Sequence, residues 1–140
     1  MIIDKYLQVS DAQTVTATAA STDFIDFGQA NPNIGMDGLS KMVITVDETT
    51  AAAGAATVTF AIQDSADNST YATVAATTAI SKTSLVAGNQ IVIPMPVTLR
   101  RYCRVYYTVA TGPLTAGAFS AQIVPSIQQN TPYPDNANIE

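Results

Sequence analysis

The sequence predicts an all-β fold, a jelly roll or β-sandwich of about eight to nine short antiparallel strands. Three observations lead there. Apolar and polar residues alternate with a period of two in several runs, as side chains on a half-buried strand do. Turn-forming residues punctuate those runs at short intervals. No run of ten residues carries a convincing helical pattern.

The elements follow in order. In Asp11 to Ala19, Thr14, Thr16 and Thr18 share one parity and Val15, Ala17 and Ala19 the other. Asp23 to Phe27 repeats the alternation through Ile25 and Phe27. Gly28 opens a surface loop over Gln29 to Gly38, marked by Asn31, Pro32, Asn33, Gly35 and Gly38. Leu39 to Asp47 reads as a strand built on Met42, Ile44 and Val46, and Glu48 to Gly54 as a loop. The Ala-rich stretch around Gly54 has helical propensity but is short and lies between strand patterns, so it is assigned to loop.

Ala55 to Gln63 places Val58, Phe60 and Ile62 on one face. The polar cluster Asp64 to Ser69 turns the chain into Thr70 to Ala75, giving a hairpin with a long loop. Ala79 to Leu85 is a weaker strand pattern. Asn89 to Met95 is a short strand ended by Pro94 and Pro96, because proline removes a ladder donor. Arg100 to Ala110 is the strongest strand, and Ala116 to Val124 closes the sandwich through Phe119, Ala121 and Ile123. The domain therefore spans residues 1–124. Residues 125–140 are polar and broken by prolines, and form an extended C-terminal arm, frayed or ordered against a neighbour.

Composition narrows the function. The chain has 140 residues, 47% of them hydrophobic and only 12% charged, with a net charge of −5. That length supports one ordinary domain. The balance is opposite to that of a disordered chain, which combines low hydrophobicity with high charge. An acidic surface is a poor match for phosphate, so nucleic acid is not an expected partner. No apolar stretch reaches the ~20 residues a membrane helix needs, and no signal peptide is visible, so no membrane is expected and synthesis is assigned to the cytoplasm. The single cysteine, Cys103, lies in an apolar run and is expected to be a buried small hydrophobe.

The chain contains no histidine, which removes the Ser-His-Asp and Cys-His arrangements, and one cysteine cannot build a zinc site. Asp64, Asp67 and Asn68 could gather oxygen ligands for Ca²⁺, but their spacing fits an Asx-rich turn better than an EF-hand. The expectation is no enzyme, no metal and no cofactor. The cluster Arg100, Arg101 and Arg104 stands out in an acidic chain. As strand residues, Arg100 and Arg104 would share a face and Arg101 would take the other. They would pair with carboxylates of a partner or with the protein's own aspartates.

Several segments resemble one family. The opening Met1-Ile2-Ile3-Asp4-Lys5-Tyr6-Leu7-Gln8-Val9-Ser10-Asp11-Ala12-Gln13 is similar to the start of capsid cement (decoration) proteins of podovirus-type tailed phages. So are Thr45-Val46-Asp47 with the Ala/Gly loop and Ala55 to Val58 that follow, and the turn from Asp64 to Tyr71. The most distinctive segment is Leu99-Arg100-Arg101-Tyr102-Cys103-Arg104-Val105-Tyr106-Tyr107, continuing to Gly117. The resemblance covers Met1 to about Val124. It implies a jelly roll on the capsid exterior that clamps neighbouring major capsid protein subunits as a homo-oligomer, a dimer or trimer. On that basis the expected partner-binding residues are Ile2, Ile3, Tyr6, Arg100, Arg101, Arg104, Tyr133 and Ile139. The alternative is a carbohydrate- or receptor-binding sandwich using Tyr71, Tyr106, Tyr107 and Tyr133, or another virion component.

Overall fold

A computed structural model describes residues 2–34 and 38–127. Ten strands are present among the described residues: β1 (Gln8–Thr14), β2 (Ala19–Ala20), β3 (Ile25–Asp26), β4 (Lys41–Ala51), β5 (Thr57–Ser65), β6 (Ala72–Ala76), β7 (Ile80–Ser81), β8 (Gln90–Pro94), β9 (Tyr102–Ala110) and β10 (Ala116–Val124). Two single turns of 3₁₀ helix, Lys5–Leu7 and Lys82–Ser84, are the helical segments among the described residues.

The strands form two antiparallel sheets. The first is four-stranded, in the order β1-β10-β4-β8. The second is six-stranded: β9 and β5 lie side by side at its centre, β2 and β3 both pair with β9, and β6 and β7 both pair with β5. β2 with β3, and β6 with β7, thus act as two halves of one position each. The chain alternates between the sheets except where β5 passes directly to its neighbour β6. This is jelly-roll connectivity, two interlocked Greek keys closing a sandwich.

Alternation explains the core. On β5, Val58, Phe60 and Ile62 face inward; on β9, Cys103, Val105 and Tyr107; on β4, Met42, Ile44 and Val46; on β10, Phe119, Ala121 and Ile123. Phe60, Tyr107 and Phe119 meet at the centre. The Phe60 ring stands edge-on to Tyr107 at 5.8 Å and to Phe119 at 5.2 Å, and Tyr107 stacks on Phe119 at 5.6 Å. These offset and edge contacts are the favoured aromatic geometries. The trio joins both sheets, since Phe119 belongs to the four-stranded sheet and the other two to the six-stranded one. The Tyr107 hydroxyl donates to Ser10 Oγ on β1 at 2.8 Å, which satisfies a buried phenol across the sandwich.

Two departures of the strands from the sequence reading coincide with bulges. The first strand runs from Gln8 to Thr14, not from Asp11 to Ala19. Its register against β10 slips between Gln8 and Ser10 and again between Ser10 and Gln13. Ala12 takes a left-handed φ of 45°, and its N–H donates to Ser120 Oγ at 2.8 Å. Past Thr14 the chain crosses to the other sheet, so Thr16 and Thr18 lie outside that strand. Similarly, β4 continues past Asp47 through Glu48 to Ala51, where a loop was expected from Glu48 onward. Two register shifts against β10 absorb the extra residues. One lies beside Gly117, whose φ of 151° and 2.9 Å approach of a hypothetical Cβ to Thr50 Cγ2 require glycine. Thr50 itself is buried and donates to the Lys82 carbonyl. By contrast, β10 begins and ends where the alternation predicted.

Candidate functional site

The outward parity of β9 carries Tyr102, Arg104 and Tyr106. Opposite them on β5 stand Ser65, Gln63 and Ala61. The outer face of the six-stranded sheet therefore presents a strip of aromatic and arginine side chains.

Arg104 sits in the middle of this strip. Its Nε donates to Gln63 Oε1 at 3.0 Å. Its guanidinium lies 3.7 Å from the centre of the Tyr71 ring and 5.7 Å from that of Tyr106, close enough for cation–π attraction. The loop after β5 holds Tyr71 in place. Asp67 Oδ1 accepts from the Ser65 hydroxyl and from the N–H groups of Ser69 and Thr70. These donors stabilise the charged form and hold the Asp67 carboxyl down at about 2. Asn68, in the left-handed region at φ 57°, accepts from the Tyr71 hydroxyl. Burial raises the Tyr71 phenol above its ordinary value.

The other two arginines are neutralised within the chain. Arg100 donates from Nε and Nη2 to Asp64 Oδ1 at 2.9 and 2.6 Å, and its backbone N–H donates to Oδ2. Asp64 is buried, so the pair fastens the entry of β9 to the end of β5. Arg101 forms a two-pronged pair with Asp26, Nε to Oδ1 at 2.7 Å and Nη2 to Oδ2 at 2.9 Å. Together with the Gly28 N–H, Arg101 lowers the Asp26 carboxyl to about 2. Arg101 also lies 5.1 Å from the Tyr102 ring centre, and Phe24 meets the same ring edge-on at 5.8 Å.

The expected division of the arginines by strand parity is thereby corrected. Arg100 and Arg101 precede β9, where alternation does not apply. Arg101 joins Arg104 on the Tyr102 side, and Arg100 turns to Asp64, which lies on the core-facing parity of β5. The carboxylates of Asp64 and Asp67 are held by separate hydrogen-bond sets, one centred on Arg100 and one on the loop.

Ile2, Ile3 and Tyr6 lie at the edge of the other sheet. The Asp4 carboxylate accepts the Tyr6 N–H and caps the first 3₁₀ turn. That turn leaves Tyr6 92% exposed, with Ile2 and Ile3 also exposed. Ile2, Asp4 and Leu7, with Ile123, Val124, Pro125 and Ser126, line a recess of about 380 Å³. Tyr133 and Ile139 lie outside the described residues, as does most of the expected arm.

For carbohydrate stacking, Tyr107 is corrected outright, because it is a core residue with no exposure. Tyr71 has one face covered by Arg104. Cys103 is buried, as its apolar setting predicted, and burial pushes its thiol up to about 12. Phe24, Tyr102 and Gln63 were not singled out from sequence. The Tyr-x-Arg-x-Tyr spacing at 102, 104 and 106 was the signal for the strip, since residues two apart share a strand face.

No curated protein matches the chain. The Bbp16 family model matches residues 9–123, from the first core residue of β1 to the penultimate residue of β10. The chain belongs to the Bbp16 family, a phage-associated family.

Proposed function

We propose that this protein is a non-catalytic capsid cement protein of a tailed phage. It binds the outside of the icosahedral head as a dimer or trimer and clamps adjacent major capsid protein subunits. The observation that carries this reading is the aromatic and arginine strip on the outer face of the six-stranded sheet. Tyr, Phe and Arg are the residues enriched where proteins bind one another. Membership of a phage-associated family and the jelly-roll framework are consistent with it. The exposed Ile3 and Tyr6 on the opposite sheet provide a second contact, so that one protomer bridges two neighbours. Many such bridges on one shell act together, and modest contacts become an effectively permanent clamp.

The test is sedimentation of purified protein with expanded capsids stripped of cement. Saturable binding at a fixed ratio to capsid subunits, with a gain in shell heat resistance, is the expected result. A folded protein that stays in the supernatant at every concentration overturns the reading. Tyr6→Ser is expected to weaken binding and leave the fold intact. Removing residues 1–9 as a block is not an equivalent test, because Val9 is fully buried and its carbonyl accepts the Asp23 N–H.

A further inference from the structure

We propose that the outer face of β9 docks a partner polypeptide through a partner carboxylate set against Arg104. This rests on the cement reading and names the surface and residue through which it would act.

Arg104 differs from the other cations. Lys5, Arg100 and Arg101 each pair with an aspartate, and Lys41 and Lys82 donate to backbone carbonyls. Among the described residues, Arg104 is the arginine with no carboxylate. Its contacts fix its position without neutralising it: Gln63 takes Nε and Tyr71 covers one face. The Nη edge remains for a two-pronged bond to a carboxylate. Because the guanidinium is already held, a partner orders little that was free, which favours tight binding. Tyr71 and Tyr106 flank it, and Tyr102, with Phe24 edge-on to its ring, continues the strip along β9. A partner pressed on these rings excludes water and strengthens the ion pair.

The occupant is a different polypeptide rather than a second copy meeting face to face. In a two-fold contact centred on β9, Arg104 would approach its own counterpart. Asp26 is already paired with Arg101, and Asp67 is turned back into its own loop by Ser65, Ser69 and Thr70, so neither is offered to a facing Arg104. An acidic glycan is a poorer fit, because Arg104 already covers one face of the Tyr71 ring. The net charge of −5 repels an acidic partner at long range. The attraction is therefore local, and its loss should raise the dissociation rate rather than slow encounter.

The experiment measures binding of the full chain to stripped, expanded capsids at constant salt. It compares the wild type with Arg104→Gln, Arg104→Lys and, as a control on the other sheet, Glu48→Gln; thermal unfolding verifies the fold of each. Arg104→Gln is expected to bind at least about 10-fold more weakly. Arg104→Lys, which keeps the charge but loses the fork, should also weaken binding, and Glu48→Gln should bind as wild type. If Arg104→Gln melts early, Arg104→Lys is read in its place. Wild-type binding with unchanged affinity in the folded Arg104 variants overturns this inference and leaves the cement reading standing. Absence of wild-type binding overturns both. Arg104-dependent binding to a soluble polyuronate, with capsid binding unaffected by the variants, assigns the face to an acidic glycan and overturns the polypeptide occupant.

Discussion

The two faces of β9 are built by different rules. Inward, Cys103, Val105 and Tyr107 lie in a continuous core where each apolar side chain has several neighbours. Outward, Tyr102, Arg104 and Tyr106 are held by a few directed contacts: one amide, three cation–ring contacts and one edge-to-face pair. A core residue is positioned by close packing from all sides, and an outer one by particular partners. The inner face should therefore govern stability and the outer face recognition, and substitutions can test that separation.

The largest effect is expected at Phe60, which touches both other aromatic rings of the core. Phe60→Ala should cost about 3–5 kcal/mol in denaturant unfolding, from lost burial plus the cavity left behind. A loss under about 1 kcal/mol would mean that the aromatic centre is not what joins the sheets. Next comes Asp64, where the division of the faces is weakest, because it is a buried carboxylate serving an arginine beside the outer strip. Asp64→Ala leaves the Arg100 N–H and guanidinium without their carboxylate acceptor, for an expected loss of about 1–3 kcal/mol. An unchanged unfolding midpoint would reduce the Arg100 pair to a surface ornament.

Smaller still is Tyr107→Phe, which keeps the ring stack and removes the bond to Ser10. It should cost about 1 kcal/mol, and a cost as large as that of Phe60→Ala would show that the polar link, not packing, holds β1 to the sandwich. The smallest effect concerns the outer face and pH. Asp26 and Asp67 both have carboxyls lowered to about 2 in the folded protein, by Arg101 and by loop N–H groups respectively. A lowered carboxylate stabilises the fold above its unfolded value of about 4, and that contribution disappears as pH falls from there through about 2. Thermal unfolding between pH 5 and pH 2 should therefore show a shallower decline in an Asp26→Asn, Asp67→Asn double variant than in the wild type. Superimposable profiles would show that these pairs do not carry acid sensitivity.

Much of the fold was legible because β alternation is local. The β10 strand was readable from end to end, and the inward set on β5 was correct residue by residue. The errors lay where one extra residue on one strand shifts its pairing with the next. Glu48 to Ala51 look like the start of a loop in isolation, yet β4 runs through them because bulges against β10 carry the ladder on to Ala51. Nothing in the one-dimensional pattern marks that. The strip was half legible: the spacing of Tyr102, Arg104 and Tyr106 is visible in the sequence, but Phe24 and Tyr71 reach it from distant loops.

The sequence by itself determined the class of the fold, the apolar faces of the main strands and the absence of histidine chemistry, because these depend on residue type and a period of two. Tertiary structure decided which arginine is left without a carboxylate among the described residues. Arg100 finds Asp64 across 36 residues and Arg101 finds Asp26 across 75, while Arg104 meets Gln63 and Tyr71. Those pairings follow from strand register and sheet order, which are set by contacts between segments far apart in the chain and are not encoded in the neighbourhood of any one residue.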